Sequence, residues 1–209
     1  MSKTTPRTPR TGRGEQTREI LLAAAQEVFW KKGYVDTRVA DIAQQAGVSH
    51  GSFYTYFDSK EDVLWAIAAD LHEATYSTGT GTLAEADGDE VRAIELANRR
   101  YLEFYLENRK ALRLMEEVAA FNPQMRKARQ ATRARFVERT TRSLSRLQRA
   151  NSCDPALDTT TAAHALVSMV SHFAYYMVST DTTFDVDGAV DTLTTIWARG
   201  IGLDVPNRD

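Results

Sequence analysis

Apolar residues recur at three- and four-residue intervals along most of the chain, and no stretch alternates apolar with polar side chains as a half-buried strand would. A chain with that single period builds helices, and helices that each carry one apolar stripe must bury it against one another. The expected fold is therefore all-α, with about nine helices. At 209 residues, 43% of them hydrophobic and 26% charged, the chain is long enough to enclose a core without covalent staples. Cys153 is the only cysteine, which excludes an internal disulfide and fits a reducing compartment. No apolar run is long enough to cross a bilayer, and the opening MSKTTPRTPRTGRGE lacks the apolar centre of a secretory signal. The expected location is the cytoplasm, with no membrane partner.

The punctuation between helices is most informative near the N-terminus. Residues 1–14 scatter Lys3, Arg7, Arg10 and Arg13 among Thr, Pro and Gly, a mixture that reads as a flexible basic arm. A first helix follows from Glu15, with Ile20, Ala24, Val28 and Phe29 on its stripe, and ends at Gly33. Thr37 is placed to cap a second, short helix carrying Val39, Ile42, Ala43 and Ala46, which Gly47 closes. Ser49 then caps a third, with Phe53 and Phe57 pointing inward. Two short helices joined by so tight a glycine-containing turn make a helix-turn-helix, whose second member lies in the DNA major groove. The outer face of that member must be small enough for close approach and rich in hydrogen-bonding groups. Gly51, Ser52, Tyr54, Thr55 and Tyr56 meet both demands.

Charge agrees. The first 60 residues hold 9 Lys/Arg against 6 Asp/Glu, and the remainder 17 against 22, so a basic front precedes an acidic back. The division expected is a basic arm over 1–14, a DNA-binding domain over 15–60 and a larger helical domain over 61–209. In that larger part Ser59 and Asp62 form a capping-box-like start, and TYSTGTGTLAEADGDE reads as a loop or frayed helix end. Helices are expected over 91–106, 110–121, 125–147 and 161–180 and from about Asp187.

The stretch TREILLAAAQEVFWKKGYVDTRVADIAQQAGVSHGSFYTYFDSKEDVL, residues 17–64, resembles the TetR family of bacterial transcriptional regulators. The resemblance rests on the leading helix, Gly33-Tyr34, Ala43, Gly47, Gly51, the Tyr54-x-x-Phe57 pair and Ser59-Lys60-Glu61. It implies an Ω-shaped homodimer with two N-terminal DNA readers and a helical domain that dimerises and binds a ligand. Carried over by position, it implies that Thr37, Tyr56 and Lys60 hold phosphates. Arg38, Ser49, His50, Gly51, Ser52, Tyr54 and Thr55 then lie near base edges or the adjoining backbone. Lys60 in the first turn of its helix suits an anion, Arg38 has the fork to grip a guanine, and Tyr54 offers a hydroxyl and a ring edge. The plainer alternatives are Tyr54 and Tyr56 as packing residues, His50 as a solvated side chain and the arm as a soluble tail.

For the second domain, an interior of Tyr101, Phe104, Tyr105, Met115, Phe121, Phe136, Met169, Phe173, Tyr176 and Met177, with His164, Ser168 and His172 as polar groups, suits a mostly apolar effector with a polar handle. Each is also an ordinary core candidate. Met169, Phe173, Leu193 and Trp197 are the candidates for a four-helix dimer seam. An arginine row, Arg135, Arg139, Arg142, Arg146 and Arg149, reads as a solvated face, with a coenzyme A thioester or the acidic partner subunit as the sharper alternatives. No metal site is expected of His164 and His172, two turns apart without a carboxylate or Cys beside them. No HExxH, GxSxG, phosphate-loop or strand-led glycine motif is present, so neither an enzyme nor a cofactor is expected. The function these features indicate is a ligand-responsive, DNA-binding repressor, a dimer on a near-palindromic operator. A ligand-independent regulator and a small-molecule carrier are the competing readings.

Overall fold

The computed structural model describes residues 12–180 and 183–205. Among these it contains ten helical segments and no strand: α1 (Gly12–Lys32), α2 (Val39–Gln45), α3 (His50–Tyr56), α4 (Lys60–Ser77), α5 (Thr82–Glu85), α6 (Glu90–Glu107), α7 (Arg109–Phe121), α8 (Pro123–Arg149), α9 (Thr159–Ser179) and α10 (Val186–Gly200). The four-residue α5 is a single turn, leaving nine longer helices. It lies in the stretch expected to be loop, where α4 also runs on to Ser77. Lys3, Arg7 and Arg10 lie outside the described residues, while Arg13 is already in the first turn of α1.

Side-chain caps set most of the boundaries. Asp89 Oδ1 accepts from the Arg92 N–H at 2.9 Å to open α6, and Asp158 Oδ1 accepts from Thr161 at 2.7 Å to open α9. Asn122 Oδ1 accepts from both Gln124 and Met125, with Pro123 at the first helical position of α8, where no donor is needed. Ser59 and Asp62 cap α4 reciprocally: Asp62 N–H donates to Ser59 Oγ, which donates to Asp62 Oδ2.

The helices form two compact units. The first holds the described residues through His72 together with Lys110–Met125, and the second holds Glu73–Arg109 and the described residues from Arg126 onward. A boundary at Lys60 would hand the whole apolar stripe of α4 to the second unit, whereas its buried Val63, Leu64, Ile67 and Ala68 belong to the first. In the first unit they are joined by Leu21, Ala25 and Phe29 of α1, Ile42 of α2, Phe53 of α3, and Leu112, Met115 and Val118 of α7. Ile20, expected on the α1 stripe, is exposed instead. In the second unit α6 packs against both α9 and α10. One core cluster gathers Val137, Leu144, Leu147, Ala163, Leu166, Val167 and Ile201, and a second gathers Tyr101, Leu102, Val170, Ala174, Met177, Val190 and Leu193. A buried hydrogen bond from Asn98 Nδ2 to Thr194 Oγ1, 3.1 Å, pins α6 to α10. Among the described residues no helix is long and apolar enough to cross a membrane.

Candidate nucleic-acid interface

The turn between α2 and α3 is closed by glycine. Gly47 sits at φ +67°, its N–H donates to the Gln44 carbonyl and the Val48 N–H donates to the Ala43 carbonyl. This is the Schellman pairing, which requires the left-handed conformation glycine supplies without strain. Two residues later Ser49 Oγ accepts the Ser52 N–H at 3.1 Å and lies 2.8 Å from Ser52 Oγ. That fixes α3, and Phe53 and Phe57 anchor it by complete or near-complete burial.

The remaining face of α3 looks outward. His50, Gly51, Tyr54 and Thr55 are exposed, and Ser52 and Tyr56 are half-buried. Tyr54 keeps 42% of its surface despite edge contacts with the His50 ring at 5.2 Å and the Phe53 ring at 5.4 Å. Those contacts orient the phenol without covering it. Gly51 has no strained backbone, and a Cβ there would meet only Ser49 Oγ, at 3.9 Å. Nothing in the contacts around it demands glycine at 51.

The loop before α2 is held differently from what position alone implies. Thr37 is 1% exposed, and its hydroxyl donates to the Gly33 carbonyl at 2.7 Å, so it closes the loop and offers no phosphate contact. The N-cap of α2 is Arg38, not Thr37: the Arg38 backbone N–H donates to Asp41 Oδ2 at 2.9 Å. A guanidinium has no acceptor, so the other half of a capping box is missing. The Arg38 side chain is exposed. Lys60 donates to the carbonyls of Tyr34 (2.8 Å), Val35 (3.0 Å) and Thr37 (2.8 Å) and stands 4.6 Å from the Tyr34 ring centroid. An ammonium has three N–H donors, and all three are used. Lys60 therefore staples the loop that carries Arg38 and is not free for a phosphate.

Tyr34, Glu61, Lys32 and Asp41 belong to the same scaffold. The Tyr34 hydroxyl donates to Glu61 Oε1 at 2.8 Å, and burial, reinforced by that bond and the Glu61 charge, pushes the phenol well above its ordinary pKa. Lys32 ties α1 to α2 through Asp41 at 2.7 Å, and holds that carboxyl below its usual range, helped by the Arg38 N–H. Glu27 accepts from Gln45 across the same pair of helices. These partners stand 9 to 27 positions apart in the chain, a separation that helical periodicity does not reveal.

Residues 21–67 match the family model described as bacterial regulatory proteins, tetR family. These residues carry the DNA-binding module of the TetR family. It is 39% identical over 59 residues to the HTH-type transcriptional regulator TtgR of Pseudomonas putida, a match covering 28% of each chain. That region is just over a quarter of the relative's length. A longer match, 27% identical over 164 residues, links it to the uncharacterized HTH-type transcriptional regulator YdgC of Bacillus subtilis, covering 77% of this chain and 80% of that one. The solved SmeT–triclosan complex shares the fold at a TM-score of 0.74 and 20% identity, over 92% of this chain and 96% of that one. The TetR-family match coincides with the helix-turn-helix and its α4 support.

The residues expected to line an effector site are divided between the two units. Met115 and Phe121 belong to the first unit, where Phe121 remains 56% exposed and its ring lies 6.3 Å from that of Tyr34. On α9, His164 and His172 are exposed, and Tyr176 is 49% exposed with its ring 5.8 Å from Phe184. These three lie on the outer face of α9, since Leu166, Val170, Ala174 and Met177 take the inner one. Phe104 is half-buried on α6; Met169 and Phe173 are half-buried against the second core cluster. Tyr101, Tyr105 and Phe136 do come together, with ring centroids 4.8 Å (Tyr101–Tyr105) and 5.7 Å (Tyr101–Phe136) apart. Of the seam candidates, Leu193 is buried core and Trp197 bridges both clusters, whereas the exposed apolar residue on α10 is Ile196. Among the described residues no group of three His, Cys, Asp or Glu side chains is placed to hold a metal.

Proposed function

We propose that this chain is a ligand-responsive, DNA-binding transcriptional repressor of the TetR family, a homodimer on a near-palindromic operator, released by a mostly apolar small molecule. The observation that carries the DNA reading is the outward face of α3, where His50, Gly51, Tyr54 and Thr55 are exposed on a helix anchored from behind by Phe53 and Phe57. The exposed Arg38 adds a guanidinium at the start of α2. Two such readers about one helical turn apart, roughly 34–36 Å, meet successive major grooves.

Support for self-association comes from apolar surface on the last two helices: Tyr175 and Tyr176 on α9 and Ile196 on α10 are exposed beside half-buried Met169 and Trp197. Support for an effector comes from a fold neighbour solved with triclosan and from the half-buried aromatic group in the second unit. A ligand that prefers a conformation in which the two readers are wrongly spaced weakens DNA binding, and by linkage DNA weakens the ligand by the same factor. A cytoplasmic location fits this role.

The test is selection of duplexes from a random pool by the purified chain, followed by competition with a panel of apolar compounds. Near-palindromic winners released by at least one compound support the proposal. Winners that no compound releases indicate a ligand-independent regulator, and a pool without enrichment indicates a small-molecule carrier.

A further inference from the structure

The arginine row of α8 is not uniform. Arg135, Arg142 and Arg146 point to carboxylates, pairing with Glu73 (2.8 Å), Glu138 (2.6 Å) and Glu90 (2.7 Å). Arg139, in the middle of the same stripe, turns inward instead. Its carbon Cζ lies 4.7 Å from the Tyr76 ring centroid and 5.0 Å from that of Phe136, and its Nη1 donates to the Tyr76 carbonyl at 2.9 Å. No carboxylate pairs with it among the described residues. Its Nη2 passes so close to Gly79 that a Cβ there would collide with it.

A guanidinium withdrawn from water without an anion is costly, and aromatic faces offset only part of that cost. Burial, with the like charges of Arg135 and Arg142, lowers its pKa, while Tyr76 opposes the shift. Since Glu73 and Glu138 are already paired, the local charge stays unbalanced. The fork is also planar and bidentate by nature, yet its oxygen partners, the carbonyl and the hydroxyl of Tyr76, carry no full negative charge. Beside it runs a continuous chain of rings: Tyr76 to Phe136 at 5.5 Å, Phe136 to Tyr101 at 5.7 Å and Tyr101 to Tyr105 at 4.8 Å. Tyr76, Phe136 and Tyr105 are half-buried, so part of each ring remains available to another molecule.

We propose that the effector is an apolar monocarboxylate whose carboxylate pairs with Arg139 while its body packs along Tyr76, Phe136 and Tyr105. This rests on the reading of the second unit as effector-binding and names the chemistry it selects. An amide of the same shape fills the same apolar surface but leaves the guanidinium without its counter-charge.

Titration calorimetry on the full chain with octanoate against octanamide, and 4-phenylbutyrate against 4-phenylbutanamide, tests it. At least one acid is expected to bind about tenfold or more tightly than its amide, the size of a hydrogen-bonded charge contact. Arg139→Gln should abolish that ratio while leaving amide affinity within about twofold, and Arg139→Lys should retain part of it. Should Arg139→Gln fail to fold, Gly79→Ala keeps the arginine but displaces it, with the same expected loss. Equal binding of acid and amide, or Arg139→Gln weakening both alike because Arg139 merely braces α8, overturns the proposal. Amides that bind without any preference for the acid sink the carboxylate while the effector reading stands. If neither pair binds, the carboxylate assignment falls, and the DNA-release panel decides the effector reading separately.

Discussion

Replacing Lys60 by methionine keeps most of the aliphatic stem and removes the ammonium that holds three carbonyls of the loop before α2. Hydrogen bonds to a charged group are each worth about 1.5–3 kcal/mol when buried. Val35 is exposed and its carbonyl regains water, so the three together should be worth about 2–4 kcal/mol. For a chain of this size about 1 kcal/mol moves the melting temperature by roughly 2–4 °C, so Lys60→Met should melt roughly 4–16 °C lower. Deleting a true phosphate contact acts elsewhere: it lowers the slope of log affinity against log salt by about 0.9 and leaves the fold alone. Fluorescence anisotropy with a selected duplex across a potassium chloride series, beside calorimetric melting, separates the two. The expected outcome is weaker binding with an unchanged slope and a lower melting temperature. Unchanged melting with a slope reduced by about one would refute the staple.

Gly51→Ala should fold normally and stabilise α3 by up to about 1 kcal/mol, because the site has room and alanine is the better helix former, yet it should weaken DNA binding in an anisotropy titration; equal or tighter binding would show that bareness at 51 is irrelevant. Asp41 has a depressed folded-state pKa, so its contribution is present above the ordinary carboxylate range near about 4 and is lost as pH falls through the lower folded value. Asp41→Asn should therefore lower stability at neutral pH and flatten the acid limb of the urea midpoint against pH; an unaltered limb would remove Asp41 from the scaffold. Ile196→Glu should shift the chain toward monomer in sedimentation, and an unchanged mass distribution would move the seam elsewhere.

What was legible in the sequence is what local chemistry decides. The helix order follows from period and punctuation, and the helix-turn-helix follows from Gly47, Ser49 and the inward Phe53 and Phe57, whose spacing alone selects a face. The exposure of Tyr54 is read the same way, since a short helix has only one buried side. The staple role of Lys60 is not legible because its partners lie 23 to 26 positions away and are backbone carbonyls, invisible to any side-chain pattern. Arg139 was hidden in a row of five arginines whose differences depend on which acids lie opposite. His164, His172 and Tyr176 stand on so apolar a helix that burial on more than one side is the natural expectation; the fold buries one face of α9 and leaves theirs open.

The central claim is that the outward face of α3 reads the duplex. Affinity of wild type and Tyr54→Ala for a duplex selected from a random pool, measured beside their melting temperatures, addresses it directly. Loss of specific binding at least about tenfold with melting unchanged is the predicted result; equal affinity in two equally stable proteins would contradict it.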